Sequence, residues 1–156
     1  MQAKNGLFGF DLVPPFWRWL DEQASKGVLC SSTRVLKEIV RAEGREDALA
    51  KWAVVRKKTS MFVSPDGNAN VQAHLTSIAD YVVVSGKYSQ PRINEFLNGA
   101  DPWLIAHALD DGGTVVSNEK RVDPSSTKPK VPNVCSHFNV PCIELLDLLR
   151  TLGFKL

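Results

Sequence analysis

The chain has 156 residues, of which 44% are hydrophobic and 23% are charged, and this length favours one domain over residues 1–156 with a substantial core. The 19 lysines and arginines exceed the 17 aspartates and glutamates by only two, so any site for a polyanion must be a local patch. Three cysteines, an odd number, argue against a disulfide framework and suit the reducing cytoplasm. We find no charged leader before an apolar core, and the apolar runs are far shorter than the roughly 20 residues of a membrane span. We therefore expect a cytoplasmic protein with neither a signal peptide nor a membrane segment.

Short apolar runs alternate with helical patterns in the first half of the chain. Proline in a first turn and apolar residues three and four positions apart indicate the helices, and short apolar runs indicate the strands. In chain order the predicted elements are a helix over 15–25, a strand over 28–30, a helix capped by Ser31, Ser32 or Thr33, a helix over 47–56, a strand over 61–63, a turn over 64–67 and a helix over 71–81, with 82–84 left as helix or strand.

The second half of the chain continues this alternation. Its predicted elements are a helix over 92–97, a helix from Asp101 to Gly112, a strand over 114–117, an exposed loop over 123–132, a helix over 134–138, a strand over 140–143 and a helix over 145–152. Asp101 is predicted to cap its helix, and Trp103, Leu104 and Ala108 are predicted to be buried. Short strands alternating with helices predict an α/β fold with a parallel sheet covered on both faces.

Several well-known catalytic motifs are absent from the sequence, among them the phosphate-binding loop of nucleotide hydrolases and the nucleophile elbow of serine hydrolases. Cys135, His137 and Cys142 are close in sequence, but their spacing fits no zinc knuckle or finger. With Cys30 they would provide four ligands for structural zinc only if the fold brought them together; otherwise they are buried or partly buried thiols.

Three acidic residues follow strands or open helices. Glu38 lies in the helix after the first predicted strand, Asp101 opens a helix, and Glu119 follows the strand over 114–117. Because ligands bind at the carboxyl ends of parallel strands, these carboxylates can converge on one crevice and bind Mg²⁺ or Mn²⁺. Each also has a simpler interpretation, as a solvated helix residue for Glu38, an N-cap for Asp101 and a turn residue for Glu119.

Four sequence blocks and the C-terminus resemble a known family. The blocks are Phe16-Trp17-Arg18-Trp19-Leu20, Ala100-Asp101-Pro102-Trp103-Leu104-Ile105-Ala106, Thr114-Val115-Val116-Ser117-Asn118-Glu119 and Val131-Pro132-Asn133-Val134-Cys135. Pro141-Cys142-Ile143 and the segment from Leu145 to Gly153 complete the match, which covers nearly the whole chain from about Gln2. The chain resembles bacterial PIN-like proteins, largely uncharacterised, and is similar to the toxin nucleases of the VapC type.

The resemblance implies a PIN-like α/β/α sandwich with a central parallel sheet and an acidic pocket for metal. It implies that Glu38, Asp101 and Glu119 are the catalytic and metal-binding residues of a Mg²⁺- or Mn²⁺-dependent ribonuclease. The family pattern begins with a hydrophobic strand ending in aspartate before Gln2. Met1 stands where that strand would end, so we expect the first strand and its aspartate to be missing and the chain as given to be weak or inactive.

The resemblance also bears on partners. Lys120, Arg121, Lys128 and Lys130 follow Glu119 on the long loop, where they are either solvated or contact an RNA backbone beside the metal. The ribonuclease would be the toxin of a toxin–antitoxin pair, with an antitoxin protein as partner and a homo-oligomer as a further option. The alternative is a catalytically degenerate PIN-like module that binds protein or RNA. A phosphatase is disfavoured because no nucleophilic aspartate motif is present.

Overall fold

The computed structural model describes residues 8–43, 47–123 and 125–155. The chain divides into two compact units, a first one of Met1–Ser64 with Gly153–Leu156 and a second one of Pro65–Leu152. Residues 1–7, where the resemblance puts the end of the first strand, lie outside the described residues.

The described residues form a mixed α/β structure, which confirms the α/β fold class. Eight helices are present among them: α1 Pro14–Ser25, α2 Thr33–Glu43, α3 Ala48–Val55, α4 Ala69–Val84, α5 Gln90–Asn98, α6 Asp101–Asp111, α7 Val131–His137 and α8 Leu145–Thr151. The strands are β1 Ser31–Ser32, β2 Phe62–Val63, β3 Val115–Val116 and β4 Cys142–Ile143. Within the described part of the chain, no helix is both long and apolar enough to cross a membrane.

The first unit contains α1, α2, α3 and the parallel pair of β1 and β2, with α2 packed against α3 and against both strands. Ser31 is paired with Phe62 and Ser32 with Val63, and Ser32 is fully buried. The Ser32 hydroxyl accepts a hydrogen bond from the Arg34 amide at 3.2 Å, as a serine does at the start of a helix. Asp47 caps α3 by accepting from the Leu49 amide at 2.7 Å. The predicted capping of α2 by this serine segment is therefore confirmed.

The second unit contains a continuous core between α4, α6, α7 and the parallel pair of β3 and β4. Val115 is paired with Cys142 and Val116 with Ile143. Its most buried side chains belong to α4, α6 and α7: Val71, Ile78, Val82, Ile105, Ala106, Val131, Val134 and Cys135. Hydrophobic burial of this kind is the main favourable contribution to folding.

The strands differ from the sequence prediction. In the described residues they form two separate two-stranded pairs, so the predicted central sheet is not seen there. The strand predicted over 28–30 is wrong in position, because these residues lie outside β1. The Val28 amide donates back to the Gln23 carbonyl at 3.0 Å, and Gly27 has a φ of 71°. That backbone closes the end of α1, and pairing starts only at Ser31.

The helix opened by Asp101 differs in its cap and its buried face. Ala100 occupies the N-cap position and Asp101 is the first helical residue, so the predicted cap is wrong by one residue, although a carboxylate there still complements the helix dipole. Trp103, Leu104 and Ala108 are only half-buried, which corrects their predicted burial. The residues buried instead are Pro102, Ile105 and Ala106. All five residues from 102 to 106 are apolar, so the hydrophobic pattern of the sequence alone did not show which face of α6 is buried.

The segment over 82–84, predicted as helix or strand, is helical and extends α4 to Val84. Two valines of this segment, one buried and one exposed, allow a matched test of the core. Val82 is 0% exposed and Val84 is 81% exposed. We expect Val82→Ala to lower the free energy of unfolding by about 2 kcal/mol, because it removes buried methyl groups and leaves a cavity. Val84→Ala should be neutral or slightly stabilising, because alanine has the higher helix propensity. Urea denaturation measures both, and equal losses would contradict this position of the core.

Candidate functional site

Polar residues follow both strands of the β3–β4 pair. Ser117, Asn118 and Glu119 come directly after β3, and Glu144 comes directly after β4. Because the strands are parallel, these residues lie at the same edge, where parallel sheets place their ligands. The helix α6 packs against β3 and reaches it through a tight turn with Gly112 at a φ of 65°. The two therefore run in opposite directions, so Asp101 at the start of α6 lies toward this edge.

Glu119 connects the end of β3 to the start of α7. Its Oε1 accepts a hydrogen bond from Lys130 Nζ at 2.6 Å, and its Oε2 accepts one from the Val131 amide at 2.9 Å. The side chains of Glu119 and Lys130 are 28% and 25% exposed, so this ion pair is shielded more than a typical surface pair. The Glu119 amide in turn donates to the Ser117 hydroxyl at 3.1 Å. Glu119 thus has defined partners on both oxygens and is not a loose turn residue.

The sequence analysis missed two residues at the same edge. Glu144 forms an ion pair with Lys120, and Asn118 Oδ1 accepts a hydrogen bond from the Leu145 amide at 3.2 Å. The bond from Asn118 satisfies an N–H group at the start of α8. The position of Glu144 directly after the predicted strand over 140–143 was the signal that could have identified it.

A pair of cysteines in the second unit is affected by the charges of Asp101 and Glu119. Cys135 on α7 and Cys142 on β4 are within hydrogen-bonding reach of each other. Burial raises the pKa of the Cys135 thiol to about 12, with further contributions from Cys142 and from the Asp101 carboxylate. Burial also raises the pKa of Cys142, and the charge of Glu119 adds to that increase. Asp101 and Glu119 therefore each act electrostatically on one thiol of this pair.

The predicted acidic trio is divided between the two units. Asp101 and Glu119 belong to the second unit, and Glu38, half-buried on α2, belongs to the first. Among the described residues, no group of three or more histidine, cysteine, aspartate or glutamate side chains could hold a metal ion. The convergence of Glu38 on the other two carboxylates stays a prediction.

The alternative zinc cluster is divided as well. Cys30 is exposed in the first unit, whereas Cys135 and Cys142 are in the second. His137 stacks on Tyr81, with ring centroids 3.6 Å apart and planes 10° from parallel. This stacking gives His137 a packing role that the sequence spacing did not indicate.

The basic residues of the long loop all have protein partners. Lys120 pairs with Glu144, and Arg121 donates to the Ser136 hydroxyl at 2.6 Å. Lys128 pairs with Glu95 at 3.1 Å, and Lys130 pairs with Glu119.

The same loop is also attached to the second unit through backbone contacts. The Val122 amide donates to Asn133 Oδ1 at 3.1 Å, the Asn133 amide group donates to the Val122 carbonyl at 2.9 Å, and Pro129 is fully buried. The segment predicted as an exposed loop is therefore anchored, and 131–132 already belong to α7.

Comparison with known protein families identifies a family for the whole chain. The model of a family described as a domain of unknown function (DUF4411) matches residues 1–156. The chain belongs to the DUF4411 family. The match spans both compact units and therefore includes Glu38, Asp101 and Glu119. No curated protein matches the chain, and no solved structure matches it.

A double-mutant cycle can test the pairing of Glu119 with Lys130. We expect Glu119→Gln and Lys130→Met to be non-additive, with a coupling energy of about 1 kcal/mol, because the pair is shielded and hydrogen-bonded. The matched cycle on Lys120 and Glu144, whose side chains are 74% and 46% exposed, should give a coupling close to zero. Denaturation of the four variants of each cycle measures both energies. Additive effects at Glu119 and Lys130 would show that this contact contributes nothing specific.

The different environments of the cysteine thiols predict the order in which a thiol reagent modifies them. With a pKa of about 12, the buried Cys135 thiol has almost no reactive thiolate at neutral pH, whereas Cys30 is exposed. We expect iodoacetamide to modify Cys30 first and Cys135 last, and raising the pH to 9 should leave Cys135 protected. Peptide mapping by mass spectrometry gives the order. Modification of Cys135 as fast as Cys30 would contradict the buried position of α7.

Proposed function

We propose that the chain is a PIN-like, metal-dependent ribonuclease that hydrolyses phosphodiester bonds. The observation that carries the proposal is that Glu119 directly follows β3 at the carboxyl-end edge of two parallel strands, while Asp101 opens the helix that packs against β3. Carboxylates at such an edge are suited to bind a cation and a phosphate together. The α/β/α sandwich with one central parallel sheet is part of the same proposal and rests on the resemblance and on the two parallel pairs.

The donor chemistry of this edge fits a hard divalent cation. Carboxylate oxygens are the protein ligands that Mg²⁺ prefers, usually one or two of them together with waters. Asp101 and Glu119 would hold the ion, and Glu38 is the third carboxylate that the resemblance implies. A bound Mg²⁺ or Mn²⁺ would lower the pKa of a water and neutralise charge on the phosphate.

The protein groups around Glu119 have defined tasks in this proposal. Lys130 Nζ lies 2.6 Å from Glu119 Oε1, so a cation is already fixed beside the carboxylate and can contact a phosphate oxygen. Lys120 is the most exposed of the paired loop cations, at 74%. It can exchange its partner Glu144 for an RNA phosphate with the least loss of protein contacts. Lys128 and Arg121 contribute positive charge from the same loop.

A second candidate function is a PIN-like module that binds RNA or protein without catalysis. The observation favouring it is that both oxygens of Glu119 already accept hydrogen bonds, from Lys130 and from the Val131 amide. In this alternative Glu119 only attaches β3 to α7, and its substitution changes stability without affecting any cleavage.

The proposed partners follow from the ribonuclease function. RNA is the substrate, and an antitoxin protein would be the partner if the chain is the toxin of a toxin–antitoxin pair. An antitoxin would inhibit such an enzyme by covering the edge that carries Asp101 and Glu119. We also propose that copies of the chain associate with one another as a homo-oligomer.

Isosteric substitutions test the proposed catalysis. We expect Glu38→Gln, Asp101→Asn and Glu119→Gln each to reduce the cleavage of a mixed RNA pool that the unsubstituted chain shows in Mg²⁺ or Mn²⁺, however weak, at least 100-fold or to the detection limit, because each removes a charged metal ligand. Asp80→Asn, at an exposed aspartate of the second unit, is the matched control and should retain full activity. Sequencing of the new RNA ends measures cleavage, and EDTA should abolish it.

The outcomes separate the two candidates. Loss of cleavage in the three variants but not in the control supports the ribonuclease. Cleavage that persists in Asp101→Asn and Glu119→Gln, or that is insensitive to EDTA, contradicts the site. RNA binding without cleavage by the unsubstituted chain supports the non-catalytic module.

A further inference from the structure

Besides the edge that carries Asp101 and Glu119 in the second unit, which we call the acidic edge, the first unit contains a groove. Its volume is about 420 Å³. One side is formed by α1, with Arg18, Trp19 and Glu22, and the other by the C-terminal segment with Phe154 and Lys155. All of these residues belong to the first unit.

Two aromatic rings form the apolar part of the groove. Trp19 and Phe154 are both half-buried, and their ring centroids are 5.3 Å apart with planes inclined by 62°. Phe16, which is 1% exposed, lies against both rings, with centroids 6.5 Å from Trp19 and 6.1 Å from Phe154. This contact fixes the rings in place while each keeps part of its surface open to solvent, as a stacking platform requires.

The groove carries excess positive charge. Arg18 and Lys155 are exposed. Among the described residues that line the groove, Glu22 is the acidic one, and Lys26 pairs with its carboxylate at 2.7 Å. The charge of Lys26 offsets that of Glu22, so Arg18 and Lys155 give the described lining a net positive charge.

We propose that this groove binds single-stranded RNA, with a base stacked on Trp19 or Phe154 and neighbouring phosphates against Arg18 and Lys155. Aromatic faces together with cations that follow the backbone are how proteins bind single strands without reading sequence. An acidic peptide would use the cations but would not need a planar stacking surface. The proposal rests on the proposed function in taking RNA as the ligand, and it adds a binding surface outside the acidic edge.

Binding is measured in EDTA, where metal-dependent cleavage does not contribute. The probe is a fluorescein-labelled single-stranded RNA of mixed sequence and about 12 nucleotides, a length within the usual site sizes. We expect the double variant Arg18→Gln/Lys155→Gln to bind at least fivefold more weakly. The slope of log affinity against log salt should become shallower by about 1.4, since each lost phosphate contact on a single strand contributes about 0.7.

The matched control removes two charges elsewhere in the same unit. Lys57 and Lys58 follow α3, are exposed and lie outside the groove. The variant Lys57→Gln/Lys58→Gln should keep the affinity and salt slope of the unsubstituted chain. A second readout is tryptophan fluorescence: RNA should quench it, and Trp19→Leu should remove most of the quenching, whereas Trp103→Phe should not.

Each result decides a separate question. Equal weakening by the two charge variants, or no weakening by either, overturns the groove. Displacement of the RNA by polyglutamate together with quenching that survives Trp19→Leu also overturns it, and favours an acidic peptide. If cleavage in Mg²⁺ is absent while the EDTA results are as expected, the ribonuclease proposal fails and the groove stands. If cleavage is present and RNA affinity does not depend on Arg18 and Lys155, the groove fails alone.

Discussion

One carboxylate in the second unit connects the end of a strand to the start of a helix 12 residues later in the sequence. Glu119 follows β3 and accepts hydrogen bonds from Lys130 and from the first amide of α7. A seven-residue helix such as α7 is too short to be stable alone and needs contacts from the rest of the fold. The carboxylate supplies one of them, because it satisfies an N–H group and complements the positive end of the helix.

The position of α7 then determines the chemistry of the acidic edge. Val131, Val134 and Cys135 enter the core from α7, and Cys135 meets Cys142 of β4. The Asp101 and Glu119 charges raise the pKa of Cys135 and Cys142 respectively, in addition to burial. If the edge binds a metal ion, the two carboxylates are the groups that would hold it.

The sequence predicted helices well where a local signal specifies the backbone. Pro14 and Pro15 start α1, and Asp47 caps α3 with its own side chain. Burial was harder to predict in α6, because every residue from 102 to 106 is apolar and only tertiary packing selects Ile105 over Leu104. The strand near Val28 was misplaced because the closing hydrogen bonds of α1 compete for the same backbone. Local signals explain the successes, whereas the buried face of α6 depends on tertiary contacts and the strand near Val28 was misplaced because a competing local hydrogen bond was not recognised.

The candidate site likewise combines residues that local sequence signals indicated with partners that only the fold brings close. The sequence identified Asp101 and Glu119 from their positions relative to a helix start and a strand end. It did not show that Lys130 and Val131 bind Glu119, because those partners are 11 and 12 residues away. It left the loop cations as either solvated or in contact with RNA, and did not show that each one contacts a protein partner that only the fold brings close. Charge alone in a sequence does not show which charges are already paired.

The most direct test of a divalent cation at this edge is paramagnetic broadening by Mn²⁺ in the NMR spectrum of the labelled chain. Our account predicts that substoichiometric Mn²⁺ broadens the amide signals of Asp101, Ser117 and Glu119 before others, and that excess Mg²⁺ restores them. Asp101→Asn should weaken this broadening, because it removes one of the charged ligands. Broadening that starts elsewhere, or that is unchanged in Asp101→Asn, would contradict the placement of the metal at the acidic edge.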